Sequence, residues 1–96
     1  MPRFRNAVGP QIAEKRMALG LTQDQLAARL QRAGLESIDR LGVVKIERRI
    51  RSVFDFELQI IAQALKADVA SLFPAAEQTK RDLPDLRRGL RATRRS

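Results

Sequence analysis

Leu58, Ile61, Ala62 and Leu65 follow one another at spacings of three, one and three residues, which puts them on a single face of an α-helix but would scatter them over both faces of a strand. Shorter stripes of the same kind recur upstream: Leu26, Ala27 and Leu30, then Val43 and Ile46. Apolar residues make up 44% of the chain and aromatic ones only 4%, so the core these stripes form has to be aliphatic. Ninety-six residues suffice for one such core. The expectation is an all-α domain.

Punctuation residues divide the pattern into helices. Pro10 stands at the first position of a helix reaching Leu19, where Ile12 and Leu19 share a face with the stem of Arg16 and Gly20 is the stop. Thr22 is placed to cap a second helix, Gln23 to about Arg32, which Gly34 ends. Leu35 to Ile38 is then a connector, and Asp39 can cap a third helix, Arg40 to about Arg48. Ser52-Val53-Phe54-Asp55 reads as a capping box, with Asp55 as the alternative cap, opening the helix that carries the Leu58 stripe. Asp68 caps a short fifth helix bearing Val69, Leu72 and Phe73, and Pro74 closes the domain. Residues 1–8 are left as an arm in which Arg3 and Arg5 flank Phe4, and residues 75–96 as a basic tail (Lys80, Arg81, Arg87, Arg88, Arg91, Arg94, Arg95) too poor in apolar surface to fold alone. Leu83, Leu86 and Leu90 recur at helical spacing, which allows a docking helix there, against Pro84 and Gly89.

Charge and missing residue types narrow the function. Lys and Arg number 19 against 11 acidic residues, a net charge of +8, which favours a polyanionic partner. With no Cys and no His, disulfides, thiol catalysis and most metal chemistry drop out. Neither a nucleophile with its base nor a glycine-rich phosphate loop stands out, so the expectation is no enzyme, no cofactor and no metal. No apolar run approaches membrane-spanning length, and the N-terminus leads into no secretory h-region. The reading is a cytoplasmic, nucleoid-associated protein.

Leu21-Thr22-Gln23-Asp24-Gln25-Leu26-Ala27, then Val43-Val44-Lys45-Ile46-Glu47, then Leu58, Ala62 and Leu65 together resemble the phage-repressor-like helix-turn-helix family over roughly Val8 to Phe73. The resemblance implies a compact five-helix domain whose third helix enters the major groove of double-stranded DNA and whose second helix grips a phosphate through its N-terminus. Carried over residue by residue, it makes Arg40, Leu41 and Lys45 the base-contacting residues, two donors for guanine and an apolar contact for a thymine methyl. Gln23 at the start of the second helix and Arg48, Arg49 and Arg51 after the third would contact phosphate. The arginines sit so close together that they would repel without an anion nearby. Arg3, Arg5 and the tail arginines would add nonspecific attraction, the alternative being that they reach into a minor groove. Arg16 lies on the apolar face of the first helix, where a charge needs a partner, and Glu47 at the end of the third is matched to it as a structural ion pair, as in the resembled family.

Two features depart from the commonest family pattern. Gln31 to Ile38 is longer than a tight turn, which bears on the angle at which the third helix is presented, and Gly42 lies inside that helix at a cost of about 1 kcal/mol relative to Ala. The implied function is sequence-specific DNA binding by a homodimeric transcriptional regulator, a repressor occupying an operator, with Phe54, Phe56 or the tail leucines as dimer contacts. The alternative is an antitoxin or adaptor whose tail folds onto a protein partner and whose DNA binding serves autoregulation.

Overall fold

Helices form where the aliphatic stripes lie and stop where the backbone can turn left-handed. The computed structural model describes residues 2–94, with side chains through residue 91. Among the described residues the chain is all-helical: α1 (Gly9–Ala18), α2 (Gln23–Arg32), α3 (Arg40–Glu47), α4 (Asp55–Ala64), a 3-10 turn (Val69–Leu72) and α5 (Ala76–Arg94). Its radius of gyration is 13.0 Å, the value of a compact globule of about this length.

Side chains cap the N-termini of α2 and α3, whereas Asp68 precedes the 3-10 turn without making the expected cap bond. The Thr22 hydroxyl accepts from Gln25 N–H at 3.1 Å while the Gln25 amide oxygen accepts from Thr22 N–H at 2.8 Å, a complete capping box. Asp39 accepts from Gly42 N–H at 2.9 Å and starts α3. At α4 the cap position belongs to Phe54 rather than to Ser52 or Asp55. Phe54 has no acceptor to offer, and only the return half of a box forms, the Glu57 carboxylate accepting from Phe54 N–H at 3.0 Å.

The C-termini follow one rule. Gly20, Gly34, Arg49 and Lys66 have φ of 71°, 109°, 66° and 55°, and after each the next N–H turns back to the helix: Leu21 to Arg16, Leu35 to Leu30, Ile50 to Lys45 and Ala67 to Ala62. Glycine adopts this conformation without penalty, whereas Arg49 and Lys66 each sustain about 1–2 kcal/mol of strain. Surrounding contacts must offset it.

Val8, Ile12, Leu26, Leu30, Ile38, Val43, Ile46, Ile61, Leu65 and Leu72 are almost wholly buried and form the core with Ala27, Leu58 and Ala62. Ile38 is 0% exposed, and Leu35 packs against the same cluster. The long connector before α3 is therefore an anchored segment, held by hydrophobic burial worth about 1.5–3 kcal/mol for a side chain of this size. Leu19 and Phe73 do not join the core and are 41% and 48% exposed. α1 ends at Ala18, so Leu19 leaves with the cap, and Phe73 lies beyond the end of the 3-10 turn in extended backbone.

The largest difference from the sequence reading is the tail. Instead of an unfolded basic segment, residues 76–94 are a single helix that runs through Pro84, a residue that costs about 3 kcal/mol inside a helix. The segment packs on the N-terminal arm and on the turn after α3: Phe4 N–H donates to the Asp85 carbonyl at 3.0 Å, Arg88 Nε to the Pro2 carbonyl at 3.2 Å, and Asp82 pairs with Arg49 at 3.1 Å. Gly89, which counted against a helix, is buried where a methyl group would overlap the Phe4 carbonyl. Its missing side chain admits the arm. Arg95 and the side chain of Arg94 lie outside the described residues.

Candidate nucleic-acid interface

α3 is held along its inner side at two places. Gly9, at the start of α1, approaches so closely that a Cβ there would overlap the Ile46 carbonyl oxygen and lie 2.9 Å from that of Glu47. Farther along α1, Arg16 Nε donates to Glu47 Oε2 at 2.7 Å and Nη2 to Oε1 at 3.1 Å. Arg16 also donates to the Leu21 carbonyl at 2.7 Å, and Gln23 Nε2 to Glu47 Oε1 at 3.0 Å. The two side chains are only 13% and 7% exposed, so Glu47 joins α1, α2 and α3 as a half-buried hub. Val43 and Ile46 meanwhile bury the core face of the helix.

The opposite face is open. Arg40, Leu41 and Lys45 are exposed, Leu41 at 57%, Val44 is half-buried, and Arg48 is exposed just past the end of α3. Arg40, Lys45 and Arg48 make no ion pair with any described residue. Beside them a groove of about 500 Å³ is lined by Arg5, Leu41, Lys45, Ile50, Ser52 and Phe54, among others. Gly42 also faces it, and a methyl there would crowd Ile38 Cγ2 at 3.2 Å.

The remaining expected phosphate ligands have other partners. Arg51 forms a two-pronged pair with Glu57, at 3.1 and 3.0 Å, and donates to the Ser52 carbonyl at 2.9 Å. Arg49 lies 3.7 Å from the centroid of the Phe4 ring and donates to the Asn6 carbonyl at 3.0 Å and to Asp82 at 3.1 Å. The arginines after α3 thus need no bound anion to coexist, because carboxylates from α4 and α5 neutralise two of them. Gln23 is half-buried, its amide nitrogen engaged with Glu47.

Glu57 is 5% exposed. Burial pushes its carboxyl upward, but hydrogen bonds from the Arg51 guanidinium and the Phe54 N–H, together with the Arg51 charge, outweigh it and hold the group below its ordinary value of 4.5.

Several residues that build this surface carried little signal in the sequence. Asn6 is buried, donates to the Ile46 carbonyl at 3.1 Å and the Arg51 carbonyl at 2.8 Å, and accepts from Val8 and Gly9 N–H at 3.1 and 2.8 Å. Its place just ahead of Gly9-Pro10 is the one clue, since Asn often bonds backbone two or three residues on. Asp82 lies in the segment expected to be an unfolded tail, and nothing in the local spacing of Asp82 or Glu57 marks their arginine partners.

No family model, curated protein or solved structure matches this chain. Among the described residues there is no group of three or more acidic, His or Cys side chains able to hold a metal ion, and no helix is long and apolar enough to cross a membrane.

Proposed function

We propose that the chain binds double-stranded DNA with sequence preference and acts as a transcriptional regulator, a repressor that occupies an operator as a dimer, on a phage-repressor-like helix-turn-helix domain. The observation that carries this reading is the two-faced character of α3. Its inner face is locked by Gly9, the Arg16–Glu47 pair and the core, while Arg40, Leu41 and Lys45 stand exposed on the other, two of them cations paired with no carboxylate among the described residues. A rigidly held short helix with free donors and one apolar tip has what is needed to read base edges. Arg48 supplies the phosphate contact beside it.

A small domain reads too few base pairs to find a unique site, so pairing across two half-sites is the usual solution. Phe54 and Phe56, each 58% exposed and stacked with their centroids 5.6 Å apart, supply the apolar patch for it. The reading of the chain as an antitoxin or adaptor draws on exposed Leu83 and Leu90 of α5, at 38% and 59%.

Selection of bound duplexes from a random pool tests the proposal. The parent chain enriches a defined motif; Arg40→Ala loses about 1–3 kcal/mol at one base position and relaxes preference there, while Arg48→Ala weakens all duplexes alike. Absence of enrichment, or a uniform loss from Arg40→Ala, refutes the assignment.

A further inference from the structure

Arg5 borders three hollows of the surface, of which two bear on α3 and α5. One is the groove beside α3, which it shares with Leu41, Lys45, Ile50 and Phe54. The other, of about 110 Å³, separates the arm from Leu86 and Leu90 of α5. The Arg5 side chain is exposed and bonds to no described residue, yet its backbone is fixed. Arg5 N–H donates to the Arg49 carbonyl at 2.8 Å, and Phe4 N–H to the Asp85 carbonyl at 3.0 Å. The Phe4 ring lies under the Arg49 guanidinium, itself tied to Asp82 of α5. Gly89 leaves no space between α5 and the Phe4 carbonyl.

A segment outside regular secondary structure is usually mobile unless something ties it down, and a mobile arm must lose its freedom when it binds. Here α5 has ordered it in advance. The groove onto which Arg5 opens combines two cations that pair with no described residue, Arg5 and Lys45, with an apolar wall of Leu41, Ile50 and Phe54. The one carboxylate lining it, Asp39, is engaged by Gly42 N–H, and Arg51 is neutralised by Glu57. A sugar–phosphate strand presents the complementary pattern, anionic phosphates alternating with apolar deoxyribose faces.

We propose that Arg5 contacts a phosphate of the duplex beside α3, and that the clamp of α5 on the arm is what holds it there. The inference rests on the DNA-binding reading above and extends it. It makes α5 a contributor to affinity through a positioned residue on the arm, by way of Phe4 and Arg49.

Fluorescence anisotropy with a labelled mixed-sequence duplex over a salt series tests it on the full chain. Arg5→Ala weakens binding roughly eightfold at 0.1 M salt and lowers the slope of log affinity against log salt by about one. Arg5→Lys restores the slope. Gly89→Ala, which pushes the arm off, lowers affinity alone but adds nothing in an Arg5→Ala background, because both changes remove one contact. If the parent binds and Arg5→Ala leaves the slope unchanged, the proposal is overturned while the DNA reading stands. Full additivity of Gly89→Ala and Arg5→Ala also overturns it, because α5 then acts on the duplex independently. If the parent binds no duplex at low salt, the DNA reading fails, and this inference with it.

Discussion

Replacing Glu47 by Gln keeps the shape of the side chain and removes its charge, which makes it a direct probe of what orients α3. Glu47 accepts three hydrogen bonds, two from Arg16 and one from Gln23, at a site where its side chain is 7% exposed and that of Arg16 is 13% exposed. In the variant one acceptor oxygen becomes a donor facing other donors, and the Arg16 charge loses its carboxylate, keeping only the neutral Leu21 carbonyl and the remaining amide oxygen. Leaving one member of a buried pair without its partner costs about 3–5 kcal/mol, against 0–1 kcal/mol for a solvated surface pair. The lower end of the buried range applies, because an amide oxygen still accepts one bond. For a domain of this size, 1 kcal/mol moves the melting temperature by roughly 4–8 °C, so a loss near 3 kcal/mol predicts a drop of about 12–24 °C. Far-UV circular dichroism on heating measures it. The double variant Arg16→Met/Glu47→Leu should recover most of the loss, because apolar replacements of similar volume often match or exceed a buried pair. A Glu47→Gln protein melting within about 2 °C of the parent would refute the reasoning, since the pair would then be behaving as a solvated one.

Other expectations follow from the same contacts. Gly9→Ala should destabilise the fold more than a usual helical Gly→Ala gain can offset, because the new methyl meets backbone carbonyls of α3; a higher melting temperature would show that α1 and α3 can move apart freely. The folded Glu57 carboxyl is held below 4.5, so its stabilising contribution is fully present above that pH and is lost as the pH falls through the lower folded value. The melting-temperature gap between parent and Glu57→Gln should therefore shrink on acidification, and a gap that stays constant into strong acid would contradict the pairing with Arg51. Truncation after Pro74 removes Asp82 from Arg49 and the Asp85 carbonyl from Phe4, so it should lower the melting temperature and raise amide exchange at Phe4 and Arg5; an unchanged melt and exchange pattern would mean that α5 does not hold the arm.

Much of the architecture was legible because it is local. The stripes, the Thr22 and Asp39 caps and the Gly20 and Gly34 stops involve residues a few positions apart, and helix geometry converts such spacings directly into contacts. The Arg16–Glu47 pair was accessible for a related reason: a charge on an apolar stripe demands a partner wherever the chain supplies one. What the tertiary structure decided are pairings across long sequence separations. Whether Arg49 met a phosphate or Asp82, 33 residues away, depended on whether α5 formed, and α5 formed although Pro84 and the charge of the segment argued against it. The contacts that offset those local penalties come from the arm and from the turn after α3, through Phe4, Pro2, Arg49 and the space left by Gly89. Propensity is a sum over neighbours in sequence and does not contain that contribution. The distribution of free and neutralised cations around α3 therefore belongs to the fold, whereas the helix that carries them was already written in the spacing of its residues.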